Sequence, residues 1–288
     1  MRVGVFALLN HPGADREAVL AAGRAADACG FHSLWIGEHA VLFDDYRSAY
    51  PYAPDGQLRL PPEAGMLELF TTLAFLAACT ERIRLASGIC ILPQRNPVLT
   101  AKEAANVDWL SGGRLDLGLG IGWSRQEFEA LGAEWPHRAA RSEEYVALMK
   151  RLWCEELSSF EGEFYRLAPC RMHPKPVQKP HPPLYFGGNS EAALGRVVRL
   201  GDGWLALGLS PEDLARHRRQ LGKLLEREGR SLAQLDVAVM PPPGPLDRAR
   251  LARYRDAGAT QLVAAPARAR GESLAAAIER LAAALLPL

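Results

Sequence analysis

The amino-acid sequence predicts one α/β domain, a closed (β/α)8 barrel, over residues 1–288. Three observations predict it. Eight short apolar runs recur along the chain, helical stretches with marked starts lie between them, and no Gly-, Ser- or Pro-rich linker divides the sequence. A strand that returns parallel to its predecessor needs a helix-length crossover, so this alternation reads as successive βαβ units. A doubly wound open sheet is the alternative, but it usually has fewer strands and needs a switch point. The length is ordinary for one α/β barrel.

In chain order, Val3–Leu9 reads as the first strand. Asp15 then caps a helix through Cys29, and Gly30 supplies the left-handed residue that ends it. Ser33–Gly37 is the second strand, Ile83–Leu92 the third and Leu115–Gly120 the fourth. Leu184–Gly187, Gly203–Ala206, Leu235–Met240 and Gln261–Ala265 complete the eight. Asn96-Pro97 places a cap before a proline at the first helical position. Ser124-Arg125-Gln126-Glu127 matches a capping box, in which the Glu carboxylate returns to the cap N–H. Ser210-Pro211-Glu212-Asp213 joins a cap, a proline and acids that complement the helix dipole. Ser273 opens a final Ala/Leu-rich helix that ends near Pro287. Two segments fall outside the repeat: Val41–Gly65, after the second strand, and the Pro-rich Phe160–Pro183, between the fourth and fifth. Loops of this length serve as lids or binding walls, or simply as covers of the barrel wall.

Composition excludes several classes. Apolar residues make up 48% and can fill a large core, while the formal net charge of +1 lacks the basic excess of a nucleic-acid binder. No apolar run is long enough to span a bilayer. Met1–Phe6 enters a strand pattern directly, without a signal-peptide core. Cys29, Cys79, Cys90, Cys154 and Cys170 are odd in number and contain no C-x-x-C pair, so neither disulfides nor zinc are expected. A cytoplasmic protein fits, with most of these thiols acting as small buried apolar groups.

Barrels place their chemistry at the C-terminal ends of the strands. At the fifth, Phe186-Gly187-Gly188-Asn189-Ser190 runs from strand through two glycines into a helix. Glycines let the backbone approach an anion, and a helix N-terminus offers free N–H groups, so a phosphate site is one reading. An ordinary tight turn with an Asn or Ser cap is the other. His39 lies just past the second strand, where it can shuttle a proton near neutral pH or merely bond a carbonyl. Glu38 should face the other side of the extended chain and pair with a neighbouring strand. Gly88 within a strand marks a bulge or a close backbone approach. Gly118, Gly120 and Gly122 recur as G-x-G, but they end a strand and Trp123 follows, unlike a dinucleotide fingerprint. Asp108 and Asp116 read as structural, and Arg114 as paired with an acid at the opposite end of the barrel. Arg95, Arg125, Arg138, Arg141 and Lys175 form either a basic rim or a solvated surface; Trp123, Trp135, Tyr50, Tyr52 and Phe70 line either a substrate pocket or the core.

Five stretches carry a resemblance. They are Ala25–Phe31 leading to Leu34–His39, Arg84–Pro97, Leu110–Trp123, Pro182–Ser190 and Leu200–Trp204. In this order they resemble the luciferase-like monooxygenase family, specifically its subgroup of probable coenzyme F420-dependent oxidoreductases. The resemblance runs to about residue 210, and the remainder is only compatible with it. It implies a bacterial-luciferase-like TIM barrel with insertions after strands 2 and 4. It implies a cofactor phosphate at Gly187, Gly188, Asn189 and Ser190, and a non-prolyl cis peptide at Gly88-Ile89 behind the tricyclic ring. Gly120, Gly122 and Trp123 would wall the ring, and His39 would sit beside its reacting centre. The implied activity is hydride transfer between coenzyme F420 and a small organic substrate. An FMN-dependent monooxygenase on the same scaffold is the nearest rival; a non-catalytic flavin-binding barrel and a phosphate-binding aldolase or isomerase barrel stand further off. Related barrels often form homodimers through helices, and the Ala-rich helix faces here permit it.

Overall fold

The computed structural model describes residues 1–51, 53 and 55–286. Two positions of the sequence reading, Tyr52 and Pro287, lie outside the described residues.

Eight parallel strands close into a barrel: β1 Arg2–Phe6, β2 Ser33–Ile36, β3 Arg84–Ser87, β4 Leu115–Gly120, β5 Leu184–Gly187, β6 Gly203–Leu207, β7 Asp236–Met240 and β8 Gln261–Ala264. Each pairs with the next, and β8 closes on β1 with Val3 opposite Leu262. β2, β4 and β8 are buried along their whole length, as expected of strands covered on both faces. The lumen is filled rather than open. Trp35, Ala86, Tyr185, Leu205, Ala238 and Val263 pack inside it, with Phe6, Ile89 and Met240 against them. Trp35 meets Tyr185 edge to face at 5.4 Å, and its indole N–H donates to Ser33 Oγ at 2.7 Å.

The helices form the outer layer: α1 Arg16–Ala28, α2 Leu69–Cys79, α3 Pro97–Leu110, α4 Arg125–Ala130, α5 Arg138–Cys154, α6 Glu191–Leu200, α7 Pro211–Arg227, α8 Arg248–Asp256 and α9 Leu274–Leu285. The expected caps are made: Asp15, Asn96, Ser210 and Ser273 each accept first-turn N–H groups. Gly30 ends α1 at a φ of 81°. No helix among the described residues is long and apolar enough to cross a membrane.

Several expectations are corrected. The third apolar run is not one strand: it breaks at Gly88–Ile89, and Cys90–Ile91 resumes pairing with β4 before a 3-10 turn at Leu92–Gln94. The first run stops at Phe6, and Asn10–His11 instead pairs antiparallel with Gly65–Met66, closing the 41–65 insertion at its base. The Pro-rich segment before β5 contains an antiparallel ribbon, Ser158–Glu161 with Arg166–Cys170. Arg114 pairs with no acid among the described residues: it donates to the carbonyls of Ala77, Thr80, Ile83 and Ser111 and to Thr80 Oγ1. Its guanidinium ties the end of α2 to the foot of the barrel. The five thiols are free; Cys90 is buried in the core, Cys29, Cys79 and Cys170 are partly buried against it, and Cys154 is exposed.

Candidate active site at the C-terminal face

Residues after β2, β3, β4 and β5 meet at one end of the barrel. The Gly88–Ile89 peptide is cis, and the Ile89 side chain packs against the residues that fill the lumen. A Cβ on Gly120 would stand 1.7 Å from Ile89 Cδ1, and one on Gly187 would stand 3.3 Å from Ile89 Cγ2. The two glycines therefore flank one side chain at close approach. Gly122 has a different reason to be glycine. Its φ is 73°, and a Cβ there would meet Phe128 and Ile91 at 2.7 and 2.8 Å. It turns the backbone out of β4.

The turn after β5 keeps free donors. Asn189 and Ser190 spend their side chains locally. Asn189 Nδ2 donates to Leu207 O at 2.7 Å, and Ser190 Oγ accepts from Ala193 N at 3.2 Å. Their backbone N–H groups donate to no acceptor among the described residues. The Gly188 carbonyl accepts from Trp204 Nε1 at 2.8 Å. Because a trans peptide is planar, that contact turns the Asn189 N–H the opposite way. Trp204 was legible only as the end of a motif; its task is to aim this peptide. Gly188 itself sits at a φ of 107°, open to glycine and costly to others.

His39 is held by a residue read differently from sequence. Glu127 is in the first turn of α4, and Ser124 Oγ does accept its N–H at 3.4 Å. The other half of the capping box is absent. The Glu127 carboxylate turns inward, with its side chain 1% exposed, and accepts from His39 Nδ1 at 3.0 Å, Ala40 N at 2.8 Å and Gln94 Nε2 at 3.2 Å. His39 Nε2 has no hydrogen-bond partner among the described residues. Trp123 stands edge-on to His39 at 5.9 Å, with Tyr46 and Tyr50 against it at 4.9 and 5.0 Å. Burial pushes both tyrosine hydroxyls above their ordinary range. The insertion that carries them docks on α4: Arg47 N–H donates to Gln126 Oε1 at 2.6 Å, and Arg125 N–H to Ser48 Oγ at 3.2 Å. An aromatic wall thus stands beside the imidazole.

Glu38 does turn away from His39. It accepts from Ile91 N at 2.7 Å and from Arg95 Nε at 2.8 Å. Arg95 is also paired with Glu68 and Glu103, so it is neutralised several times over. Burial pushes the adjacent Cys90 thiol well above its ordinary range, in keeping with packing and not redox chemistry. Of the other rim candidates, Arg125 pairs with Glu129, Arg141 with Glu134, and Lys175 with the Leu152 and Glu155 carbonyls. Arg138, like Lys175, meets no carboxylate among the described residues. It stacks over Trp135 at 3.6 Å and reaches Gly122 O at 3.5 Å. Phe70 is buried beneath Arg95, and Trp135 is committed between Arg138 and Phe128, so neither lines a pocket. No cluster of His, Cys, Asp and Glu among the described residues could hold a metal.

Comparison with known proteins gives the family to which this parallel barrel belongs. The family model for luciferase-like monooxygenases matches residues 1–283, and the chain belongs to that family. An uncharacterized protein of Mycobacterium tuberculosis is 30% identical over 272 residues, covering 92% of this chain and 93% of the other. An FMNH2-dependent dimethylsulfone monooxygenase of Pseudomonas putida is 35% identical over 174 residues, 58% of this chain and 47% of that one. Among solved structures, the coenzyme F420-dependent tetrahydromethanopterin reductase of Methanopyrus kandleri superposes with a TM-score of 0.76 at 17% identity, covering 99% and 98% of the two chains. That likeness concerns the fold.

Proposed function

We propose that this chain binds coenzyme F420 at the C-terminal face and exchanges a hydride with a small organic substrate. The observation that carries the reading is a set of polar atoms on one rigid face, His39 Nε2 and the Asn189 and Ser190 N–H groups, that have no hydrogen-bond partner among the described residues, with Arg138, which meets no carboxylate among them, nearby. These residues fit the cofactor. The two N–H groups, the α6 dipole and Arg138 would hold its phosphate. Ile89, pressed between Gly120 and Gly187, would support the back of its ring. Bound there, F420 supplies a two-electron hydride carrier on which oxygen activation is disfavoured; the protein orients and excludes. His39 would carry the proton that accompanies the hydride at Nε2. The Tyr46–Tyr50–Trp123 wall would take the apolar part of the substrate and exclude water.

The second reading, a monooxygenase using FMN on the same residues, is favoured by the likeness to the dimethylsulfone enzyme. Fluorescence titration of the purified protein with F420 and with FMN decides between them. Saturable F420 binding that is tighter than FMN binding supports the first. Tight FMN binding without measurable F420 binding replaces it with the second, and binding of both without turnover on a panel of alcohols and ketones favours a non-catalytic carrier. Sedimentation of the same sample tests the expected homodimer.

A further inference from the structure

Glu127 is placed at the start of a helix, where its own backbone offers a ready partner, yet it serves a residue 88 positions away. Its two oxygens are fully committed. Oε1 takes the Ala40 N–H, and Oε2 takes His39 Nδ1 and Gln94 Nε2. The same carboxylate therefore holds both the imidazole of His39 and the peptide that follows it. An ionised carboxylate only accepts, so Nδ1 must carry the hydrogen and the neutral ring must keep its lone pair on Nε2. We infer that Glu127 is a positioning residue: it fixes His39 as the Nδ1–H tautomer, with Nε2 as the single proton-exchanging atom.

The choice of atom matters because only Nε2 lacks a protein partner among the described residues. In the other tautomer that nitrogen would carry hydrogen already, and a neutral imidazole would be unable to take up a proton there. The inference deepens the reading of His39 given above, and its rate arm rests on that reading; the tautomer arm does not.

The test compares the native chain with Glu127→Gln, each labelled with 15N-histidine, by long-range 1H–15N spectra above the imidazole titration. The His39 signal is assigned by its loss in His39→Asn. Gln is isosteric, and its carbonyl oxygen still accepts the Ala40 N–H. Its amide nitrogen then faces His39 and donates, so Nδ1 must become the acceptor. The expected result is Nδ1–H in the native protein and Nε2–H in the variant. Under the proposed function, hydride transfer in single turnover falls by about 10²–10⁴-fold with cofactor affinity unchanged. A native His39 protonated on Nε2 overturns the inference, and does so even where the variant fails to fold. An unchanged tautomer in Glu127→Gln also overturns it. So does an inverted tautomer with an unchanged transfer rate, which would leave Glu127 a purely structural ligand. If neither F420 nor FMN supports turnover in the native chain, the proposed function fails, while the tautomer measurement still decides the role of Glu127.

Discussion

Gly120→Ala separates a glycine that makes room for a ligand from one that makes room for the fold. The new methyl would lie 1.7 Å from Ile89 Cδ1 and 3.0 Å from its Cγ1. Ordinary carbon contacts lie at roughly 3.5–4 Å, so the Ile89 terminus must move by about 2 Å. It is the end of a flexible side chain, so the chain folds at an overpacking cost of about 1–3 kcal/mol. Gly187 also lies against Ile89, 3.3 Å from Cγ2 to its would-be Cβ, and under the proposed function the displaced side chain moves toward the ring. If the displaced methyl intrudes there by a similar free energy, affinity falls by about 5- to 150-fold. The assay is a fluorescence titration with F420 and FMN beside a thermal melt. Gly118→Ala is the control. Its Cβ would fall 2.0 Å from the Ser87 carbonyl oxygen, a backbone atom within the barrel wall, and no rotamer relieves that. A loss above about 4 kcal/mol, enough to abolish folding, is expected there. A folded Gly120→Ala protein that binds cofactor as tightly as the native chain would refute the placement of Ile89 behind the ring.

Other predictions address the rest of the molecule. His39→Ala should fold normally and lose about 10²–10⁴-fold in hydride transfer; retention of the full rate removes the histidine from the mechanism. Trp204→Phe deletes the donor to Gly188 O, at about 1 kcal/mol of stability, and frees the Asn189 peptide to turn. The preference for FMN over riboflavin, which isolates the phosphate, should shrink in that variant, and an unaltered ratio would place the phosphate elsewhere. At the other end of the barrel, burial together with Arg2 and Arg84 pushes His32 down from 6.5 to about 4. The unfolded chain therefore protonates first: this contribution is complete above about pH 6.5 and is lost as the pH falls toward 4. The ring is half-exposed, so solvent screening holds it to about 1–2 kcal/mol. Denaturation midpoints of His32→Gln should lose part of their acid slope between pH 7 and 5; an undiminished slope assigns it to other groups.

How much of this was legible follows from the range of each interaction. Strands and caps are local events, so Asp15, Asn96, Ser210 and Ser273 could be read directly. The break at Gly88–Ile89 was half visible, as a glycine inside an apolar run. Its cis peptide came from the resemblance alone. Glu127 was misread because a sufficient local explanation, the capping box, stood in front of it. Which of two donors a carboxylate serves depends on what the end of β2 brings within reach, and no spacing rule encodes that. Arg114 failed for the converse reason: an acid was expected, while five backbone and hydroxyl acceptors lay nearer. Trp204 followed a glycine pair in a recognised motif, but its indole acts across two strands.

The two ends of the barrel differ in what they leave unspent. At the N-terminal end polar groups answer one another. Arg84 meets Asp116, Arg2 meets Asp236, and the Tyr185 hydroxyl donates to Asp236 at 2.5 Å. Burial, with Asp116 and Asp236 beside it, pushes that hydroxyl well above its ordinary range and keeps it a donor. Such pairing satisfies groups that would otherwise cost stability, and it leaves little to offer a ligand. At the C-terminal end the supporting groups are equally well matched, with Glu127 on His39 and Trp204 on Gly188, but each match exposes a further atom without a partner. His39 Nε2 and the Asn189 N–H are each oriented by a contact on their far side. That asymmetry, more than any single residue, supports the proposal that the chemistry lies at the end of the barrel where Gly120, Gly187 and Ile89 meet.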